Sequence, residues 1–208
     1  MTTYKAEMTL REARALYFAV NDFGDDGGYD DQWVKIWFGP FPIFFPNIPS
    51  RRSAVRFHDL HHILTEYETT LAGEAEIAAW EIATGDLPNL AGWFLDLGGF
   101  NYGLLLYPRR LFRAFVRGRR SLSLYKFPFS EELLSKKVGD VRKALYLDRE
   151  VPGAKLSDGL AFIKCAILSV ASSMTVGVVV WAPLIAMGLL SLIIGDRWSG
   201  RKISQPSG

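Results

Sequence analysis

Phe57-His58-Asp59-Leu60-His61-His62-Ile63-Leu64-Thr65 carries its polar and apolar residues at helical spacing, and Gly73-Glu74 opens the segment that follows. The pattern predicts helices over about 54–67 and 70–84. A helical residue turns by ~100°, so with His58 at the origin His62 lies at ~40° and Asp59 at ~100°. Three side chains able to ligate a metal therefore share one helix edge. All three histidines of the chain fall within these five positions. Imidazoles and carboxylates together suit zinc, iron or manganese. Glu74, on the next helix, would close such a site from a second side. Histidine and aspartate at this spacing also occur on ordinary solvated helices, and that reading stands beside the first. His61 turns ~100° away from His62 and reads as a neighbour of the site. Glu66, one turn beyond His62, would orient an imidazole or replace Glu74 as ligand.

Helical periods continue outward, and a regular alternating strand pattern is lacking. The expected fold is all-α: a helical domain over 1–150, a linker over 151–164, a membrane-embedded helix or helical hairpin over 165–195, and a polar tail over 196–208. Thr9-x-x-Glu12 reads as a capping box opening a helix to about Ala19. Residues 21–31 form an acidic, glycine-rich loop without the ligand register of a calcium-binding EF-hand. Residues 33–49 hold four prolines among many aromatics, which forbids a regular helix. Such a segment either folds over the core or dips into a membrane interface. The apolar stretch 89–107 is broken by Asp96 and by glycines that let a ligand or another helix approach the backbone. Pro108 then opens a basic amphipathic segment carrying Arg109, Arg110, Arg113 and Arg117. A membrane surface fits it best; an anionic ligand or plain solvation are the other readings.

From Cys165 to Gly195 no residue is charged. The roughly 20 residues needed to cross a bilayer as a helix are exceeded. Pro183 divides the run. One kinked span is the preferred arrangement, and a hairpin is the alternative, because Lys155 and Lys164 precede the run while Arg197, Arg201 and Lys202 follow it.

His58-Asp59-x-x-His62, eleven intervening residues and then Glu74 resembles the signature of the coenzyme Q (ubiquinone) biosynthesis protein 4 family. Val138-Gly139-Asp140-Val141-Arg142-Lys143-Ala144-Leu145 is similar to a late helix of that family, and the likeness covers about residues 10–148. The resemblance implies a mostly helical, membrane-associated protein of ubiquinone biosynthesis, with His58, Asp59, His62 and Glu74 as ligands of a divalent metal. It implies zinc; iron or manganese would be required for an oxidative reaction. Family members are regarded both as scaffolds of the biosynthetic complex and as enzymes removing the C1 carboxyl group of a polyprenylated 4-hydroxy-3-methoxybenzoate. An uninterrupted membrane segment departs from the family pattern, in which membrane association is peripheral.

The net charge of +2 over 208 residues argues against nucleic acid as a partner. The single Cys165 excludes an intramolecular disulfide. Charges at Lys5, Glu7, Arg11, Glu12 and Arg14 interrupt any apolar leader core. The expected partners are the membrane, a polyprenylated quinone precursor, other ubiquinone-biosynthesis proteins and a second copy of the chain. The expected location is a membrane with the helical domain on its cytoplasmic face, or on the matrix face in a mitochondrion. Three functions fit: a metal-dependent decarboxylase, a non-catalytic lipid-binding scaffold, and a membrane zinc peptidase. The third is weakest, because Asp59 stands where a zincin carries its glutamate base.

Overall fold

The computed structural model describes residues 4–38, 41–87, 89–150, 153–175 and 177, and of 35–38 and 41–45 the backbone alone. The elements in chain order are α1 (Leu10–Asn21), β1 (Trp33–Phe38), β2 (Phe41–Pro46), α2 (Pro49–Thr65), α3 (Leu71–Thr84), α4 (Leu90–Leu106), α5 (Pro108–Gly118), a 3-10 turn (Leu124–Lys126), α6 (Glu131–Ser135) and α7 (Val138–Ala144). A further helix, α8, runs over Leu156–Thr175. The protein is all-α, with one antiparallel hairpin pairing β1 and β2. Residues Met1–Ala166 form one compact unit and Ile167–Gly208 a second; what is described of the second is helical.

The hairpin is where the fold departs from the expected loop. Its residues are mainly aromatic or β-branched, which favours extended backbone. A two-stranded ribbon has only edge strands, so Pro42 and Pro46 can face away from the ladder. In the register Trp37 stands opposite Pro42, and Trp33 opposite Pro46.

Other boundaries follow from local chemistry. Thr9 and Glu12 form both halves of the capping box that starts α1. Pro49 and Pro108 occupy first turns, where a missing N–H costs nothing. α3 lies at the centre of one side of the core, where Ala75, Ala79 and Trp80 have no exposed surface. α4 and α5 lie directly on α3 because glycines face it. A Cβ on Gly118 would come 2.4 Å from the Trp80 carbonyl oxygen, and one on Gly99 would come 2.9 Å from the Ala78 Cβ. The glycines of 89–107 thus admit a helix.

Arg142 of α7 closes the end of α2. Its guanidinium donates to the carbonyls of Ile63 (2.8 Å) and Leu64 (3.0 Å) and pairs with Glu66 at 3.0 Å. These contacts satisfy carbonyls that a helix C-terminus leaves orphaned. Glu66 is spent on this ion pair and on its left-handed C-cap, and among the described residues it joins no metal-binding group.

The linker is shorter than expected. α8 starts at Leu156, so 156–164 are helical. Asp158 accepts from the Lys155 N–H and from Arg119 and Arg120, which anchors this first turn. Phe162 packs against Phe100, Phe112 and Phe115, whereas Leu156, Leu160 and Ile163 are exposed. Among the described residues, α8 is the one helix long and apolar enough to cross a membrane. Pro183, the choice between kinked span and hairpin, and the polar tail lie outside the described residues.

Candidate metal centre

His58 and His62 sit one turn apart on α2, and Glu74 sits in the first turn of α3. His58 Nε2 lies 3.2 Å from His62 Nε2. Glu74 lies 3.4 Å from each, through a different oxygen. Two imidazoles and one carboxylate therefore meet at a point.

The tautomers explain what that point requires. His62 Nδ1 lies 2.9 Å from the Tyr67 carbonyl oxygen, which can only accept, so Nδ1 carries the proton. Glu81 accepts from His58 Nδ1 at 3.2 Å, from His61 Nδ1 at 2.6 Å and from the Tyr125 hydroxyl at 3.0 Å. The Leu124 N–H donates to His61 Nε2 at 2.9 Å, which independently fixes Nδ1–H on His61. With Nδ1 protonated on His58 and His62, both Nε2 atoms present lone pairs to one another. Two lone pairs at 3.2 Å repel unless a cation lies between them. The spacings suit a metal as well as a proton. Donors at tetrahedral angles on bonds of about 2.0–2.1 Å are about 3.3–3.4 Å apart. His58, His62 and Glu74 could hold such an ion and leave a fourth position open.

Asp59 is not drawn to that point. It is buried, and its Oδ2 accepts from the Tyr29 hydroxyl at 2.5 Å. It instead forms part of the wall of a cavity of about 810 Å³ that His58, Glu74, Glu81 and Asp96 also line. Three of the four expected ligands converge; the fourth stands beside them. Tyr29 reaches Asp59 because the acidic loop folds back through Gly27 and Gly28, both at positive φ, where a Cβ on Gly27 would enter the Phe18 ring. The loop is thus a support for the site wall.

The electrostatics point the same way. Burial opposes charge on His58, but Glu81 and Glu74 outweigh it and hold the imidazole well above its ordinary pKa. Burial likewise opposes charge on Glu74 and Glu81, yet the histidines hold both carboxyls below their usual range. Burial, then the neighbouring Glu81, keeps Asp96 well above the usual carboxylate range. Arg51 is the one arginine or lysine among the described lining residues, which include four carboxyl groups. The cavity has an excess of negative charge, and without metal a proton on His58 partly offsets it.

A pH dependence follows. The raised His58 contributes stability in full below its unfolded value of about 6.5, and the contribution is lost as pH rises through the folded value. Glu74 and Glu81 contribute above about 4.3, and lose it as pH falls through their depressed folded values. Urea unfolding of metal-free protein across pH should show stability falling on the alkaline side. Saturating zinc should remove that fall.

The expected neighbour His61 is fully buried against Trp80 and holds both Glu81 and the Leu124 N–H. His61→Ala should therefore destabilise the protein by roughly 2–4 kcal/mol through a cavity and lost hydrogen bonds. Its effect on zinc affinity should be much smaller than that of losing His58; thermal melts and zinc titration separate the two.

The arginines lie elsewhere. Arg109, Arg110 and Arg113 are exposed on α5, with Arg110 paired to Glu76 at 2.5 Å. Arg117 donates to the Thr65 carbonyl and lies over the Tyr67 ring. Arg119 and Arg120 hold Asp158. Half of the basic cluster thus braces the fold, and none lines the metal-site cavity.

Sequence reasoning did not single out Glu81, Tyr125 or Asp96 as site residues. Glu81 had a signal: seven residues after Glu74, it falls on the same helix face. Asp96 was the sole acid in an apolar stretch. Comparison with family models, with curated proteins and with solved structures finds no match to this chain.

Proposed function

We propose that this protein is a membrane-tethered, metal-dependent enzyme of ubiquinone biosynthesis, removing the C1 carboxyl group of a polyprenylated 4-hydroxy-3-methoxybenzoate. The observation that carries the reading is the meeting of His58 Nε2, His62 Nε2 and Glu74, with His58 and Glu74 in the wall of a large cavity. The spacing that resembles the family's signature supplies the reaction class.

A divalent cation bound there, zinc in the simplest case, supplies Lewis-acid stabilisation of charge on carboxylate and phenolate oxygens. The chain's own residues do the rest. Glu81 and the Tyr67 carbonyl hold the two imidazoles with their Nε2 atoms toward one another. The Tyr17 ring stacks on His62 at 5.8 Å and shields it from water. Arg51 offers a guanidinium to an acidic head group. Val34, Ala54, Val55, Ala78 and Leu95 give the cavity an apolar wall for the beginning of an isoprenoid tail. α8 is the tether, with the helical domain on the cytoplasmic or matrix face, and Arg109, Arg110 and Arg113 meet anionic headgroups.

The test is complementation of a strain that lacks the C1 decarboxylation step, with His58→Ala as control, followed by turnover of purified metal-loaded protein. Growth with product formed by the pure protein supports the enzyme. Rescue by both wild type and His58→Ala, without turnover, would indicate the scaffold reading instead. A truncation tests the tether. Because Phe162 packs into the first unit, truncation after Ala166 should stay folded yet move most of the protein from the membrane to the soluble fraction. Unchanged sedimentation with membranes would contradict the tether.

A further inference from the structure

A second pocket, of about 280 Å³, is lined by Pro49, Arg52, Ser53, Arg56 and Phe129. It shares none of these residues with the metal-site cavity. None of them is acidic, so two guanidiniums and a hydroxyl supply its polar side chains. Arg52 and Arg56 stand one turn apart on α2, a spacing that puts Cβ atoms about 5–6 Å apart and at which like charges repel. Among the described residues neither has an ion pair with a carboxylate. Arg110, Arg119, Arg120 and Arg142 each have one. The Arg56 guanidinium lies 5.3 Å from the centre of the Tyr29 ring and 5.7 Å from that of Phe129. Arg14, on α1, lies 5.8 Å from the same Phe129 ring. Ring faces of this kind hold a guanidinium in place and leave its charge intact.

We propose that this pocket binds a phosphate group, clamped between Arg52 and Arg56. Guanidinium forks match phosphate oxygens in pairs. A phosphate monoester carries about −1.5 to −2 charges near neutral pH, which two arginines offset. A single carboxylate would leave one of them uncompensated. The start of α2 adds to the positive field, having no acid in its first turn. The same clamp recognises free phosphate and the monoester headgroup of a lipid.

The experiment is calorimetric titration of the metal-free full chain in neutral detergent with inorganic phosphate, dihexanoyl phosphatidic acid and dihexanoyl phosphatidylcholine. With the metal centre empty, the result is independent of the metal and of the reaction proposed above. Wild type should bind phosphatidic acid at least about 10-fold more tightly than phosphatidylcholine, whose headgroup has no net charge. Inorganic phosphate binding as tightly as phosphatidic acid would identify phosphate alone as the ligand, and weaker binding would identify the lipid headgroup; both uphold the clamp. Arg52→Gln and Arg56→Gln should each weaken binding by about 10- to 100-fold, as expected for lost charge-assisted hydrogen bonds. Lys143→Gln removes the same charge from the exposed face of α7 and should stay within about twofold of wild type. Should Arg56→Gln fail to fold without its ring contacts, Arg52→Gln still decides the matter. Absence of saturable binding of phosphate and phosphatidic acid, equal affinity for the two lipids, undiminished binding in Arg52→Gln, or an equal loss in Lys143→Gln would each overturn the proposal.

Discussion

His58→Ala and His62→Ala should each weaken zinc binding by about 100- to 1000-fold in competition titrations with a chromophoric chelator. The size follows from the energy of a protein zinc site, roughly 10–16 kcal/mol over four ligands, which assigns about 2.5–4 kcal/mol to each. His58 and His62 contribute the two lone pairs that face one another at 3.2 Å, so neither loss can be made up by its neighbour. Asp59→Asn should fall well short of this, because Asp59 is held by Tyr29 away from the three converging atoms. An Asp59→Asn effect equal to that of His58→Ala would show that Asp59 swings in as a ligand.

Glu81→Ala should cost about 3–5 kcal/mol of stability in metal-free protein, as expected when one partner of a buried charged network is removed. Glu81 has no exposed surface and takes hydrogen bonds from His58, His61 and Tyr125. Removing it strands the buried donor of His61 and the part-buried donors of His58 and Tyr125 at once. Zinc affinity should fall as well, by about 10- to 100-fold, because His58 loses the partner that fixes its tautomer. Urea denaturation with parallel zinc titration checks both. A loss below about 1 kcal/mol would mean that water or Asp96 takes the place of Glu81.

How far the sequence reached depends on the kind of interaction. Periodicity is local, so α2 and α3 were legible, and with them the shared edge of His58 and His62. The capping box at Thr9 and Glu12 was legible for the same reason. The hairpin was not, because its prolines concealed strand-forming aromatics, and a two-stranded ribbon, having only edge strands, tolerates them. The direction taken by Asp59 was hidden, since it depends on Tyr29, thirty residues earlier in a loop. Glu81 and Asp96 were missed because a buried carboxyl is defined by partners from other elements: Tyr125 beyond α5, and α4 packed on α3 through its glycines. The arginine segment was read as a single basic surface. Its apolar side, which a membrane-surface segment would turn to lipid, packs inward at Leu111, Phe115 and Val116, and Arg117, Arg119 and Arg120 were drawn to Thr65 and Asp158, contacts that no local pattern encodes.

The central claim is that His58, His62 and Glu74 together hold one metal ion. Anomalous diffraction at the zinc edge from crystals grown with one equivalent of zinc tests it most directly. The account predicts a single strong peak about 2.0–2.2 Å from His58 Nε2, His62 Nε2 and a Glu74 oxygen. A peak between Glu81 and Asp96, or none near α2, would contradict it.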